Sequence, residues 1–187
     1  MMSRLEIAFM MIDAANAADP NQVEGQPEAL LYGERMTAEA ARLFPEASDI
    51  LRIAARGQHV ERWLLKRAEF PEGKEGYHAW RREQGRRHGA RVAGIMAEAG
   101  YDTQDQARAA VLLRKEGIKR DPEVQALEDI ICFVFIRWYF AGFAAQRSAE
   151  ELPGIIAKTA RKMSAGARAR VLAEFDLPPD LAAAFAD

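Results

Sequence analysis

"ILRIAARGQHVERWLLKR", residues 50–67, carries the period of a helix and an unusual polar face. At 100° per residue, Arg52, Arg56, His59, Trp63 and Lys66 fall within about 40° of one direction. Ile50, Ile53, Ala54, Val60, Leu64 and Leu65 point elsewhere, toward a core. This spacing predicts an amphipathic helix over 50–66. A solvated helix face usually alternates its charges, with Glu and Lys four apart. Here a histidine and an indole sit among cations, which suggests a face built to hold something.

Outward from this stretch, nearly every segment repeats the helical period and none alternates convincingly as a strand. Leu5, Phe9 and Ile12 mark a first helix, ending near "ADPN", where Pro20 disfavours a helical Asp19. A second spans about 27–43. A fourth spans 76–99, stopped by Gly100, and Asp102 or Thr103 caps a fifth that runs to Lys115 before Gly117. Asp121 with Pro122 is the clearest start signal, for a long apolar helix over 121–146. Ser148 with Glu151 has the pattern of a capping box, Ser164 caps an eighth helix, and "DLPPD" sets off a short tail helix. The expectation is an all-α single domain, residues 1–187, of about 7–9 helices. "AEFPEGKEGY" is the one long polar connection and reads as a surface loop or a lid over the basic stripe.

A chain that is 49% hydrophobic and 29% charged is globular in class. Its net charge of −2 gives no reason to expect nucleic acid as a partner. The charge is unevenly spread: residues 52–91 hold 11 Lys/Arg against 5 Asp/Glu, a local +6 that leaves −8 for the remainder. That asymmetry suits a small anion, phosphate or nucleotide-like. A single cysteine, Cys132, excludes an intrachain disulfide and fits a reducing compartment. "IAFMMI" is too short and too charged for a signal peptide, and "IICFVFIRWYFAGFAA" is broken by Arg137, short of a membrane span. A cytoplasmic protein without a membrane partner is expected.

Three elements bring candidate chemistry. His59 lies on the basic stripe. His88 lies on the fourth helix, with Arg81, Gln84 and Arg91 on its side. Glu128 and Asp129 stand together at the head of the most apolar helix, where a carboxylate is costly unless paired, hydrogen-bonded or metal-bound. Helix-dipole compensation accounts for one exposed acid there, and less well for a pair. Two imidazoles and a carboxylate suit a transition metal, or act as general acid and base beside a phosphate held by arginines. Asp13 and Asn16 share one helix face and read as inter-helix hydrogen bonding. Trp80 and Trp138 read as core aromatics. "RKMSAG" is better explained by Ser164 as a helix cap than as a nucleotide loop.

"IDAANAADPN", "LLYGERMT", "AARGQHVERW", "GYHAWRREQGRRHG", "DPEVQALEDIICFVF" and "LPPDL" follow one another along almost the whole chain. In this succession the sequence resembles the family called domain of unknown function 4202, a description that carries no activity. The resemblance implies Tyr32, Arg35, Arg56, Gln58, His59, Arg62, Trp63, Trp80, Arg81, His88, Glu128 and Asp129 as signature residues. The order of elements is more distantly similar to the helical HD phosphohydrolase superfamily, whose histidines and aspartates bind metal for phosphate ester hydrolysis. That similarity implies an HD-like bundle with His59 at the paired histidine and Glu128 or Asp129 at the late acid. Val60 stands where the paired aspartate belongs, and Tyr32 occupies the first-histidine region.

The expected function is therefore an HD-like phosphohydrolase-type protein that acts on or binds a small phosphorylated anion. His59, His88, Asp129 and Glu128 are its expected catalytic groups. Tyr32, Arg35, Arg56, Gln58, Arg62, Trp63 and Arg81 would line the ligand, and His59, His88 and Asp129 would hold a single divalent transition metal if one binds. The alternatives are a non-catalytic anion-binding module that has lost the metal motif, and a helical interaction protein whose basic patch meets an acidic partner.

Overall fold

Ser3 starts the first helix: its hydroxyl accepts the Glu6 N–H at 3.2 Å while the Glu6 carboxylate accepts the Ser3 N–H at 2.7 Å. The computed structural model of the protein describes residues 1–186, which form two compact units, Met1–Glu116 and the chain from Gly117 onward. The fold is all-α, with ten α-helices among the described residues and one pair of two-residue strands.

In the first unit, α1 (Arg4–Asn16) leads into a hairpin of β1 (Gln22–Val23) and β2 (Gln26–Pro27). Its two turn residues, Glu24 and Gly25, both have positive φ, as tight two-residue hairpins require. Buried Asp19 locks the connection by accepting the backbone N–H groups of Asn21 (2.9 Å) and Ala29 (3.0 Å). Then follow α2 (Glu28–Leu43), α3 (Asp49–Arg56, capped by Ser48), α4 (Gly73–Glu98) and α5 (Thr103–Arg114, capped by Asp102).

Small residues let these helices approach closely. A Cβ at Gly33 of α2 would lie 2.9 Å from the Arg56 carbonyl oxygen of α3, and one at Gly89 of α4 would lie 3.3 Å from the Ala110 Cα of α5. The core around them holds Ile12, Met36, Ile53, Ile95, Met96 and Leu112, all fully buried.

The helix expected over 50–66 stops at Arg56, and here the structure corrects the sequence reading. Beyond Gly57 the chain winds in three-residue turns. Val60 N–H donates to the Gly57 carbonyl (3.0 Å), Arg62 N–H to His59 (3.1 Å) and Leu64 N–H to Glu61 (3.1 Å). Glu61 is left-handed, at φ 52°. Its N–H, which an α-helix would direct at Gly57, donates instead to the buried Asn16 side chain at 3.1 Å. A tertiary bond thus replaces the helical one, and the stripe expected on one helix face is divided between a helix and a turn.

The polar connection after this turn packs back on the start of α4. A Cβ at buried Gly76 would lie 1.8 Å from the Pro71 carbonyl oxygen, a backbone atom that cannot move aside without displacing the loop. Gly76→Ala is therefore expected to cost about 1–3 kcal/mol, in the range of other overpacked substitutions. Urea unfolding reads the change, and a loss below a few tenths would mean that the loop yields freely.

In the second unit, Asp121 caps α6 (Pro122–Val134) by accepting from the Glu123 (3.0 Å) and Val124 (3.2 Å) N–H groups, with proline at the first helical position as expected. The single helix expected over 121–146 is interrupted by a π-helical turn, Phe135–Tyr139, before α7 (Phe140–Ala144). That interruption is why ten helices stand where about seven to nine were expected. Then come α8 (Leu152–Lys162), α9 (Ala165–Glu174, capped by Ser164) and α10 (Pro179–Ala186). Ser148 does bond Glu151 (3.1 Å), but α8 begins only after Glu151, so the pair closes the preceding turn. Leu127, Ile130, Phe133, Ile156, Met163 and Val171 are buried. No described helix is long and apolar enough to cross a membrane.

Candidate functional site

The turn after α3 is mounted on α4 as well as on α1. Gln84 donates its side-chain amide to the carbonyl oxygens of Arg62 (2.9 Å) and Leu65 (3.1 Å), and the Trp80 indole N–H donates to Leu65 at 3.0 Å. Arg91 pairs with Glu61 at 3.0 Å. These bonds fix the backbone from both sides, so the side chains of Gln58, His59 and Arg62 take defined positions.

His59 stacks on Tyr32 of α2, with ring centroids 3.7 Å apart and planes 13° from parallel. The His88 ring lies 6.3 Å from that of His59. Arg62 sits over the Trp80 ring at 4.7 Å, and Arg81 donates to the Tyr77 hydroxyl at 3.1 Å while lying 5.9 Å from that ring. The structure thus brings the rings of His59 and His88 near one another, within the electrostatic reach of Arg62 and Arg81.

The electrostatics of this cluster are one-sided. His59 keeps some exposed surface, yet the protein packed about its ring holds its pKa well below the usual value. Burial is the main cause, followed by the positive charges of Arg62, any proton on His88, Lys115 and Arg81. His88 is pushed down to about 3, again chiefly by burial and then by Arg62, Arg81 and Lys115. Both imidazoles are neutral at pH 7. Burial, and next Arg81, also lower the pKa of Arg62, with Glu28 acting in the opposite direction. Among the described residues neither Arg62 nor Arg81 is in an ion pair.

Other expected ligand residues do different work. Arg56 forms a bidentate pair with Asp13, Nε to Oδ1 and Nη2 to Oδ2, both at 2.7 Å, with Thr37 accepting at 3.3 Å. Buried Arg35 pairs with Glu24 at 2.7 Å. Arg52 donates to the Pro45 carbonyl oxygen, and Lys66 is exposed. Trp63 is half-buried on a 3-10 turn, Arg62–Leu64. Trp80, expected in the core, is also half-buried and serves as the platform for Arg62.

Glu128 and Asp129, expected at the head of their helix, stand midway along α6, where Glu123 and not they is the acid of the first turn; both belong to the second unit. Asp129 spends its oxygens within it: Oδ1 accepts from the Ser164 N–H (2.8 Å) and the Gln125 amide (3.0 Å), and Oδ2 from the Ser164 hydroxyl (2.6 Å). Burial raises its pKa, against those hydrogen bonds and Lys119. Its evident task is to orient Ser164, the cap of α9. Glu128 is buried, with the Lys162 ammonium at 3.9 Å. Among the described residues no group of three or more His, Cys, Asp or Glu side chains is gathered to hold a metal ion.

Tyr77, which anchors Arg81, and Lys115, which adds to the positive field, were not singled out from the sequence. A signal for the first existed: Tyr77, Trp80, Arg81, Gln84 and His88 follow the helical intervals of one face of α4.

Residues 6–184 match the family described as Domain of unknown function (DUF4202), so the chain belongs to that family. No curated protein and no solved structure matches it.

Proposed function

We propose that the first unit binds a small phosphate-bearing anion through Arg62 and Arg81, beside the neutral His59–His88 pair. The observation that carries this reading is the contrast among the arginines. Arg35 and Arg56 are neutralised by internal carboxylates, whereas Arg62 and Arg81, near enough for their charges to repel, have only aromatic side chains as close side-chain partners among the described residues. An anion between them would relieve that repulsion and accept charge-assisted hydrogen bonds worth ~1.5–3 kcal/mol each.

Binding stands ahead of phosphate ester hydrolysis. A general base works best with a pKa near the operating pH, and both imidazoles are held far below it. The positions that the HD similarity would use for metal hold Tyr32, packed on His59, and Val60, which is buried. A phosphatase assay on wild type and His59→Ala separates the two forms of the reading: turnover lost in the variant would make His59 an acid or base.

Calorimetry with phosphate, pyrophosphate and a nucleoside monophosphate should give binding that weakens as salt rises. Arg62→Ala and Arg81→Ala should each weaken it roughly tenfold or more. Arg56→Ala should act on stability instead. A flat response across all three ligands would favour a helical interaction protein.

A further inference from the structure

Two polar atoms of this region are buried without a hydrogen-bond partner: Oε1 of Gln58 and Nε2 of His88. Their residues are only 7% and 4% exposed, so bulk water does not serve them. Gln58 precedes His59 in the turn held by Asn16 and Gln84, and the His88 ring lies 6.3 Å from that of His59. A buried polar atom left unpaired is costly, and native proteins leave few of them.

What would pair them is constrained by chemistry. The phosphate group of a monoester dianion only accepts hydrogen bonds. It suits the guanidinium groups of Arg62 and Arg81, yet offers nothing to a carboxamide oxygen. A neutral imidazole nitrogen either accepts or donates, and as an acceptor it too needs an N–H or O–H. A simple phosphate monoester without other polar groups, such as methyl phosphate, would therefore satisfy the arginines and leave the Gln58 oxygen as it was. A ligand carrying donors next to its anion would satisfy both sets.

We infer that the ligand is a phosphate ester bearing hydroxyl or N–H donors close to the phosphate, as in a sugar phosphate or a nucleoside monophosphate, with Gln58 and His88 as its specificity-determining residues. This rests on the anion-binding reading above and goes beyond it in naming the second half of the ligand. Neutrality of His88 is part of the design, because an imidazolium could not accept.

The experiment is titration calorimetry of the full chain with methyl phosphate, ribose 5-phosphate and adenosine 5′-monophosphate. Methyl phosphate presents the same anion without donors. Ribose 5-phosphate is expected to bind at least tenfold more tightly than methyl phosphate, and a further gain with the nucleotide would place donors on the base. In Gln58→Met, which keeps the shape and removes the acceptor, the ratio of ribose 5-phosphate affinity to methyl phosphate affinity should shrink about tenfold. His88→Phe provides the same test at the second atom, and the wild-type comparison stands even if either variant fails to fold. Equal affinity for all three ligands would overturn this inference and leave the anion site intact. No binding of any of them would overturn both.

Discussion

Asp13→Ala is expected to lower the free energy of unfolding by about 3–5 kcal/mol, the cost of breaking a buried ion pair from one side. The reason lies in what remains. The Arg56 side chain is only 12% exposed, so a guanidinium deprived of its bidentate partner stays largely out of water. The Thr37 hydroxyl at 3.3 Å and the Phe9 ring at 5.5 Å cannot replace a carboxylate. Asp13 is 33% exposed, so Arg56→Ala leaves a group that can rehydrate, and the smaller loss should come from that side. Replacing the pair together, as Asp13→Leu with Arg56→Met, should recover most of the stability, because well-packed apolar groups often substitute for buried ions without loss. Equilibrium urea unfolding of the four proteins measures this. A loss under 1 kcal/mol in Asp13→Ala would mean that the pair is effectively solvated.

Between pH 7 and pH 5 the protein should lose about 2 kcal/mol of stability through His88 alone. Its folded pKa is pushed down to about 3, chiefly by burial and then by Arg62, Arg81 and Lys115, while in the unfolded chain it returns to about 6.5. Between those values the unfolded state binds the extra proton, so stability is full above about 6.5 and falls progressively as the pH drops toward 3. His59, depressed for the same reasons, adds to the loss. The carboxyl of Glu83, held down to about 2 by its hydrogen bonds from Arg86 and Arg87, stays ionised over this interval and does not obscure it. Unfolding curves at pH 7 and pH 5 for wild type and His88→Phe isolate the term by difference. Parallel pH dependence in the two proteins would show that His88 is not neutral in the fold.

Helix starts were well marked in the sequence, because a cap is a local device. Asp102, Asp121 and Ser164 each bond N–H groups two or three residues on, and each was legible from its own neighbourhood. The ends were less legible. Gly57 was a stop signal in plain view, overridden in the reading by an apolar period that ran past it. What bends the chain there is Asn16, a residue 45 positions away from the N–H that it accepts. The π-helical turn at Phe135–Tyr139 likewise has no glycine or proline to announce it.

The site divides in the same manner. The proximity of His59 to His88 was anticipated because each brought polar groups to a core-forming segment; Arg81 was legible from its spacing to His88, and Arg62 followed from the family resemblance. The role of Arg56 was misread, since one helical face cannot reveal that Asp13 on another helix has already claimed the guanidinium. Asp129 illustrates the converse: a buried carboxylate that looked chemical is consumed by Ser164, a partner 35 residues downstream.

The support given to the turn between α3 and the Arg62–Leu64 segment separates two kinds of residue. The hydrogen bonds from Asn16, Trp80 and Gln84 reach only backbone atoms of that turn and are indifferent to which side chains it carries, while the Trp80 ring alone also supports a side chain, that of Arg62. Positions 58 and 59 are thereby released from specifying the chain's path. A lineage could exchange the groups displayed there, and with them the ligand, without redrawing the scaffold. Novelty would accumulate at the tip of the turn, and constraint at the three residues that clasp it.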